Sequence, residues 1–479
     1  MNELQKMIFK KQNEKRTENG DIAYKTTGDN LTDLFFMTPY FEEHLDQVNI
    51  GKSDKEKIFS MFIRDPRFGM GRRDLGRKLM ELSEVPAKYV VKAGRYDDLI
   101  FNPTDEAIEL LHSELLKGNE LAKKWMPRLT GKDKKIAKAF CKVWNLTEKE
   151  YRALIKVNTT EHKLSYAELD ETASPLNELF KQGGYKHPLV DSIDFEKVPS
   201  LAMTKYLHTF STREDLKDRF QEYIKAVKEE KAKINTSTAN VHDSHKVAAV
   251  TLDYMSCAVE EEAREVVARK IEDVATLGVE INAIPILDTS GSMYDSWAGW
   301  YGHSRPDFGN MNDIGVKAMS VAHAIAKKST YAPNQLISFS SRPQLMTIRG
   351  NTLKEEYDSM YTGDCSNTDF GAVMDLLAKL KKFPQYLIVL SDMEFDCGSR
   401  QSKEQTMKIF KEHGANTKII WWTFNNRNKT TPEFDKYGNI FLSGYNLQIL
   451  KLLENNFNME EYINKILEKY KKDIDFKEF

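Results

Sequence analysis

The sequence predicts two regions of different class, an all-α module of short helices followed by a doubly wound α/β domain. Three observations lead there. Through the first half, apolar residues recur at three- and four-residue spacing, the period of an amphipathic helix. Prolines at 66, 86, 103, 127, 175, 188 and 199 cut that half into many short helices rather than a few long ones. From about residue 280, continuous apolar runs alternate with amphipathic stretches, the pattern of a parallel sheet covered on both faces.

The helical period is clearest in DEAIELLHSELLKGNELAKKW (105–125) and KEYRALIKV (149–157). No sharp repeat length emerges, and successive short amphipathic helices are how a diverged HEAT-like solenoid reads. The polar stretch INTSTANVHDSHK (234–246) is a linker candidate, and the charged amphipathic stretch after it ends at Gly278, a helix-stop residue. The expected organisation is an N-terminal extension (1–29), a helical module (30–245), a connecting helix (246–279) and an α/β domain (280–479).

Composition bounds the function. The 479 residues are 41% hydrophobic and 30% charged, enough apolar material for packed cores. Lys and Arg number 70 against 72 Asp and Glu, so whole-chain charge says nothing about nucleic acid and only local clustering can. Cys141, Cys257, Cys365 and Cys397 form no C-x-x-C pair, which argues against a disulfide framework or structural zinc and fits a reducing compartment. The amino terminus, MNELQKMIFKKQNEKR, has no signal-peptide core, and no stretch approaches the roughly 20 apolar residues that span a bilayer. A soluble, cytoplasmic protein without a membrane partner is expected, in the host-cell cytoplasm if the chain is phage-encoded.

In the last region the strand candidates are INAIPIL (281–287), QLISFS (335–340), YLIVLS (386–391) and KIIWWTF (418–424). Helical patterns lie between them at 313–328, 369–382 and 403–413. In such sheets ligands bind at the carboxyl ends of the strands, where strand order reverses. The first strand delivers DTSGS onto a loop at that edge, and alternate residues of an extended loop point the same way. Asp288, Ser290 and Ser292 can therefore converge, and their hard oxygens suit Mg²⁺, with Mn²⁺ and Ca²⁺ possible, far better than zinc. Two more loops reach the same edge: SNTDFGAVMDLL brings Thr368 before a helix, and LSDMEFD brings Asp392 to the end of a strand. The bland alternative is that Ser290 and Thr368 cap helices while Asp392 ends a strand. Ser366 is an alternative hydroxyl, Glu394 adds charge nearby, and the long loop 294–311 carries Trp297, Trp300, Tyr301 and His303 as contact residues or as a lid.

This three-loop pattern resembles the metal-ion-dependent adhesion site of von Willebrand A domains. The resemblance implies direct ligation by Ser290, Ser292 and Thr368, with Asp288 and Asp392 acting directly or through water. The site as read leaves one coordination position for an Asp or Glu of a protein partner.

Two basic segments mark the helical region. RDPRFGMGRRDLGRKL (64–79) carries six Lys/Arg against two Asp, and KKWMPRLTGKDKKIAKAFCK (123–142) carries eight against one, with Trp125 and Phe140 interleaved. Such segments neutralise phosphates and offer stacking surfaces, although a basic run is more often a solvated face. Candidate RNA contacts are Arg64, Arg67, Arg72, Arg73, Lys123, Lys124, Arg128, Lys132, Lys134 and Lys135. GRRDLGRK nearly spells a P-loop, but Arg77 replaces the motif's Lys, Lys78 replaces its Ser/Thr and no strand precedes it, so no nucleotide cofactor is expected.

Taken with TENGDIAYKTTGDNLTDLFF (17–36), GRYDDLI (94–100), KKWMPR (123–128), IDFEKVPSLAM (193–203), KAKIN (231–235) and SDMEFD (391–396), the chain resembles a group found in phages, plants and other organisms. That group is similar in layout to the Ro autoantigen (TROVE) family. The resemblance implies a ring of HEAT-like repeats that binds small structured RNAs and RNA ends on basic surfaces, closed by a von Willebrand A domain. Carried across, it implies a non-enzymatic RNA-binding protein. The competing expectation is a cation-dependent protein-interaction module or assembly scaffold. No G-x-S-x-G, H-E-x-x-H or Cys/His dyad points to an enzyme, and a metal-dependent nuclease is the residual case.

Overall fold

The computed structural model describes residues 14–16, 22–24, 26–41, 44–66, 68–101, 103–156, 190–191, 193–236, 258–275, 279–293, 314–340, 342–361, 369–377, 379, 383–392, 408, 410–412, 416–424, 433–434 and 439–476. Contacts divide the chain into two units that interleave in sequence. One comprises 1–44 and 239–462, the other 45–238 and 463–479. The chain opens with strands β1 (Glu14–Arg16) and β2 (Ile22–Tyr24), paired antiparallel, and helix α1 (Asn30–Phe41), all in the first unit.

The second unit is helical: α2 (Asp54–Arg64), α3 (Arg73–Leu82), α4 (Ala87–Ala93), α5 (Tyr96–Phe101), α6 (Asp105–Leu116), α7 (Glu120–Trp125), α8 (Lys134–Val143), α9 (Glu148–Leu154), α10 (Ser200–Lys205), α11 (Leu207–Thr212) and α12 (Lys217–Lys228). Local chemistry sets the boundaries. Thr147 and Glu150 close a capping box at the start of α9, satisfying backbone donors that the first helical turn leaves open. The periodic stretch 105–125 is two helices rather than one. Gly118 turns the chain at φ +80°, and the Asn119 side chain accepts from the Leu121 and Ala122 amides to start α7. Behind these turns Leu111, Leu115, Ala122, Phe140 and Tyr151 share one buried cluster. Leu111→Ala there would cost about 2–5 kcal/mol in lost transfer and cavity. The carboxyl-terminal segment belongs to this unit: Tyr470 donates to Asp65 Oδ2 (2.7 Å), and the Asp475 amide donates to the Tyr89 hydroxyl (2.8 Å).

In the first unit a sheet of seven strands runs in the order β5-β4-β3-β6-β7-β9-β8. Its strands are β3 (Ala283–Asp288), β4 (Gln335–Phe339), β5 (Gln344–Thr347), β6 (Tyr386–Ser391), β7 (Lys418–Thr423), β8 (Glu433–Phe434) and β9 (Ile440–Ser443). Strands β4, β3, β6, β7 and β9 are parallel, while β5 and β8 run antiparallel at the edges. All six residues of β3 and all six of β6 are buried, which is why these two read as unbroken apolar runs.

The pleat sorts the helices. Ile284, Ile286, Val389 and Trp421 point to one face and pack with Phe370, Val373 and Leu377 of α16 (Phe370–Leu377). Trp422, next along β7, points to the other face, where it touches Phe424, Phe424 touches Tyr445, and Tyr445 reaches Ser320 of α14 (Ile314–Lys328). On α14, His323 is fully buried between Glu272 of α13 (Ala258–Ala275) and Glu356 of α15 (Leu353–Asp358), at 2.7 and 2.8 Å. α17 (Gln448–Glu454) and α18 (Met459–Lys471) end the chain, and the unit boundary falls within α18. Helix α1 joins the sheet unit: Phe35 meets Tyr462 edge-on at 5.6 Å, and Asn446 donates to the Phe35 carbonyl (3.3 Å). Among the described residues no helix is long and apolar enough to cross a membrane.

Candidate cation loop and basic helical surface

The order of the sheet determines where a ligand can sit. From β3 the chain passes to β4 on one side and then to β6 on the other, so strand order reverses between β3 and β6. Helical connections diverge from such a point and leave a crevice at the carboxyl ends of the two strands. Asp288 ends β3, and Asp392 follows the last residue of β6.

Asp288 is buried with both oxygens engaged: Oδ1 accepts from the Ser290 amide (2.9 Å), and Oδ2 accepts from the Ser391 hydroxyl (2.6 Å). Burial pushes its carboxyl up to about 6. The hydrogen bonds from Ser391 and Ser290 pull the other way, and the charge of Asp392 pushes it higher still. Ser290 Oγ and Ser292 Oγ lie 3.2 Å apart on the following turn. Two neighbouring oxygens on an octahedral ion stand about 3.0 Å apart around Mg²⁺ and about 3.4 Å around Ca²⁺, given metal–oxygen lengths of roughly 2.1 and 2.4 Å. The hydroxyl pair therefore fits one edge of either coordination shell. Among the described residues no three His, Cys, Asp or Glu side chains cluster as a metal site. Serine hydroxyls would have to supply part of the donor set.

Thr368, Ser366, Glu394 and the loop 294–311 lie outside the described residues. The neighbour of Thr368 does not: the Asp369 amide donates to the Ser340 carbonyl just beyond β4 (3.0 Å), and Asp369 Oδ1 accepts from Ala372 at the start of α16 (3.1 Å). Ser391 was missed in the sequence reading. Its signal was position alone, a hydroxyl level with Asp288 on the adjacent strand, one step beyond the pair of Leu287 and Leu390.

On the helical unit the two basic segments differ. Arg64 is buried against Asp98 (2.7 Å), and Arg73 and Arg77 both pair with Asp97, with Arg77 also reaching Asp98. Arg72 is the residue before α3 and is half-buried, and Arg67 lies outside the described residues. Asp97 and Asp98, from GRYDDLI, are thus the internal counter-ions of the first segment. Gly94 makes this possible, because a side chain there would collide with the Asp98 carboxylate.

In the second segment Lys123 is nearly buried and pairs with Glu120 (2.9 Å), and Arg128 donates to the Ile155 carbonyl (3.4 Å). Lys124 is exposed, with its ammonium 5.6 Å from the Trp125 ring centre. Lys132, Lys134 and Lys135 are exposed at the start of α8. Arg95, not singled out in the sequence, lies with its guanidinium 5.0 Å from the same Trp125 ring centre, so GRYDDLI and KKWMPR meet in space.

Two family models match the chain. One, a domain of unknown function (DUF2828), covers residues 120–275, and another, a domain of unknown function (DUF7788), covers 282–478. The chain is similar to "Uncharacterized protein L728" of Acanthamoeba polyphaga mimivirus, at 23% identity over 95% of this chain and 87% of the relative. Among solved structures it is similar to the Ro (RSR) protein of Deinococcus radiodurans, at 10% identity and a TM-score of 0.38, covering 91% of this chain and 96% of that one.

Proposed function

We propose that the protein is a non-enzymatic RNA-binding protein of Ro-like layout, in which the helical unit holds the RNA and the sheet unit is a von Willebrand A-type domain with Mg²⁺ on its Asp288 loop. The observation that carries the RNA reading is the contrast between the basic segments. Arginines of the first are consumed by Asp97 and Asp98, whereas Lys132, Lys134 and Lys135 stand exposed without an ion pair among the described residues. Solvated lysines on one helix start are the form a phosphate footprint takes, because each phosphate contact releases a condensed counter-ion.

The test is a salt titration of binding to a structured RNA. Binding should weaken steeply with salt, and replacing the three lysines with Gln should lower the log–log slope by roughly 2–3. Binding that is absent, or indifferent to salt, overturns the reading.

A second reading has its own support. Buried Asp288 sits at the strand-order reversal, and the Ser290–Ser292 hydroxyl spacing fits an ion edge. An ion held there, with Asp392 at hand, would take a carboxylate from a protein partner as its remaining ligand. Capture from lysate with and without EDTA, beside Asp288→Ala, tests it: a partner held equally by all three samples counts against a cation-dependent contact. The residual nuclease case falls if labelled RNA survives incubation with Mg²⁺.

A further inference from the structure

We propose that Arg95 and Trp125 form a subsite for one phosphate and its adjoining base in a single-stranded stretch of RNA. The inference rests on the RNA reading above and names where an unpaired strand is gripped. Its starting point is a charge surplus. Four arginines (64, 73, 77 and 95) gather around three carboxylates, Asp97, Asp98 and, 3.8 Å from Arg77, Asp74. The first three each hold an ion pair with these carboxylates, while the Arg95 guanidinium has no carboxylate partner among the described residues. Its own amide is spent on Asp98 Oδ2 (2.8 Å), which ties down the backbone and leaves the side chain to the surface.

Partial desolvation lowers the pKa of Arg95; of the nearby charges, Asp97 and Asp98 work against that shift and Arg64 and Arg73 with it.

The second observation is the aromatic partner. The guanidinium carbon lies over the Trp125 ring, 5.0 Å from its centre, and among the described residues the N–H donors meet no carboxylate, so they remain for a tetrahedral anion. A guanidinium over an indole favours a ligand that carries both a phosphate and a flat ring, which a nucleotide does and an acidic peptide does not. Trp125 is half-buried at the end of α7, and Lys124 adds a second cation beside the ring. Helix α5, which follows Arg95, also exposes Phe101 (50%), with Arg77 at 5.4 Å from its ring centre. A second arginine–aromatic pair thus involves α5, with its arginine on α3.

The experiment is fluorescence anisotropy of a labelled oligouridine with the full chain. It compares wild type, Arg95→Gln, Arg95→Lys, Trp125→Leu and Trp125→Phe, with folding of each variant checked by its melting curve. Loss of one stacked base weakens binding roughly 5- to 100-fold. Arg95→Gln and Trp125→Leu are each expected to do so, and Arg95→Gln should also lower the salt slope by about 0.7. Arg95→Lys should keep the slope while losing part of the affinity, and Trp125→Phe should bind within a few-fold of wild type. If wild type binds and Arg95→Gln and Trp125→Leu bind within twofold of it, the subsite is wrong while the RNA reading stands. If wild type binds no RNA, the RNA reading fails and the subsite with it. Displacement of the label by a polyglutamate peptide as readily as by unlabelled oligouridine would assign the cations to a carboxylate ligand and overturn the proposal.

Discussion

Of the titratable groups buried in the sheet unit, His323 and Asp288 have opposite surroundings. His323 lies between Glu272 and Glu356, and Glu356 is held further by Lys327 (2.9 Å) and Arg269. Burial works against its charge, but the two glutamates outweigh burial and raise its pKa. Asp288 is buried as deeply, yet its neighbours among the described residues are two serines and a second carboxylate, with no cation beside them. A buried charge that the protein neutralises itself is a structural tie, whereas one without an opposite charge is a candidate for a functional role.

Removing the imidazole should produce the largest effect. His323→Leu leaves Glu272 and Glu356 buried without their shared cation, and such a loss costs roughly 3–5 kcal/mol. Urea unfolding should show it at neutral pH, and a change below about 1 kcal/mol would end the claim that this centre ties α13 and α15 to α14.

The pH limits of that centre come next. Against the cost of burial, His323 and Lys327 hold the Glu356 carboxyl at about 2, below its ordinary range. A depressed carboxylate stabilises the fold above its unfolded pKa, and that stability is lost as pH falls toward 2. His323 has a raised pKa, so its contribution is complete below about 6.5 and is lost as pH rises through the folded value. Glu356→Gln should flatten the acid limb of stability measured from pH 5 to pH 2.5. An acid limb identical to wild type would contradict the assignment.

Asp288 should show the reverse sign. Its folded pKa lies above its unfolded one, so in EDTA the protein should gain stability as pH falls from about 6 towards 4, on the order of 2 kcal/mol. Mg²⁺ should raise the melting temperature at pH 7.5 and much less at pH 5, and Asp288→Asn should abolish the Mg²⁺ shift. An equal Mg²⁺ shift at both pH values would show that the ion binds elsewhere. Smallest is Ser391→Ala, which removes one buried hydrogen bond worth about 1 kcal/mol and weakens the Mg²⁺ shift without abolishing it. A full-sized shift in that variant would mean that Ser391 does not orient Asp288.

Much of the sheet was legible because burial on both faces leaves a local trace. The runs read at 281–287, 335–340, 386–391 and 418–424 correspond to β3, β4, β6 and β7 within a residue or two. The missed strands are short edge or near-edge ones: β5 presents Gln344, Leu345 and Thr347 to solvent, so no apolar run or clean alternation announced it. The loop Asp288–Ser292 was legible for a related reason, since its donors lie within five residues of a strand end. Asp97 and Asp98 were not, because a carboxylate in GRYDDLI looks the same whether it faces water or Arg64.

By itself, then, the sequence determined what depends on neighbours within about ten residues: helical and strand periods and the hydroxyl-rich loop after β3. Tertiary structure alone decided which distant segments exclude water from which charges. It set Ser391 against Asp288, Glu272 and Glu356 against His323, Arg95 over Trp125, α1 among the elements of the sheet unit, and the carboxyl-terminal residues among the helices. The physical reason is that hydrogen-bond geometry and side-chain period are local, whereas desolvation is a property of whatever packs on top.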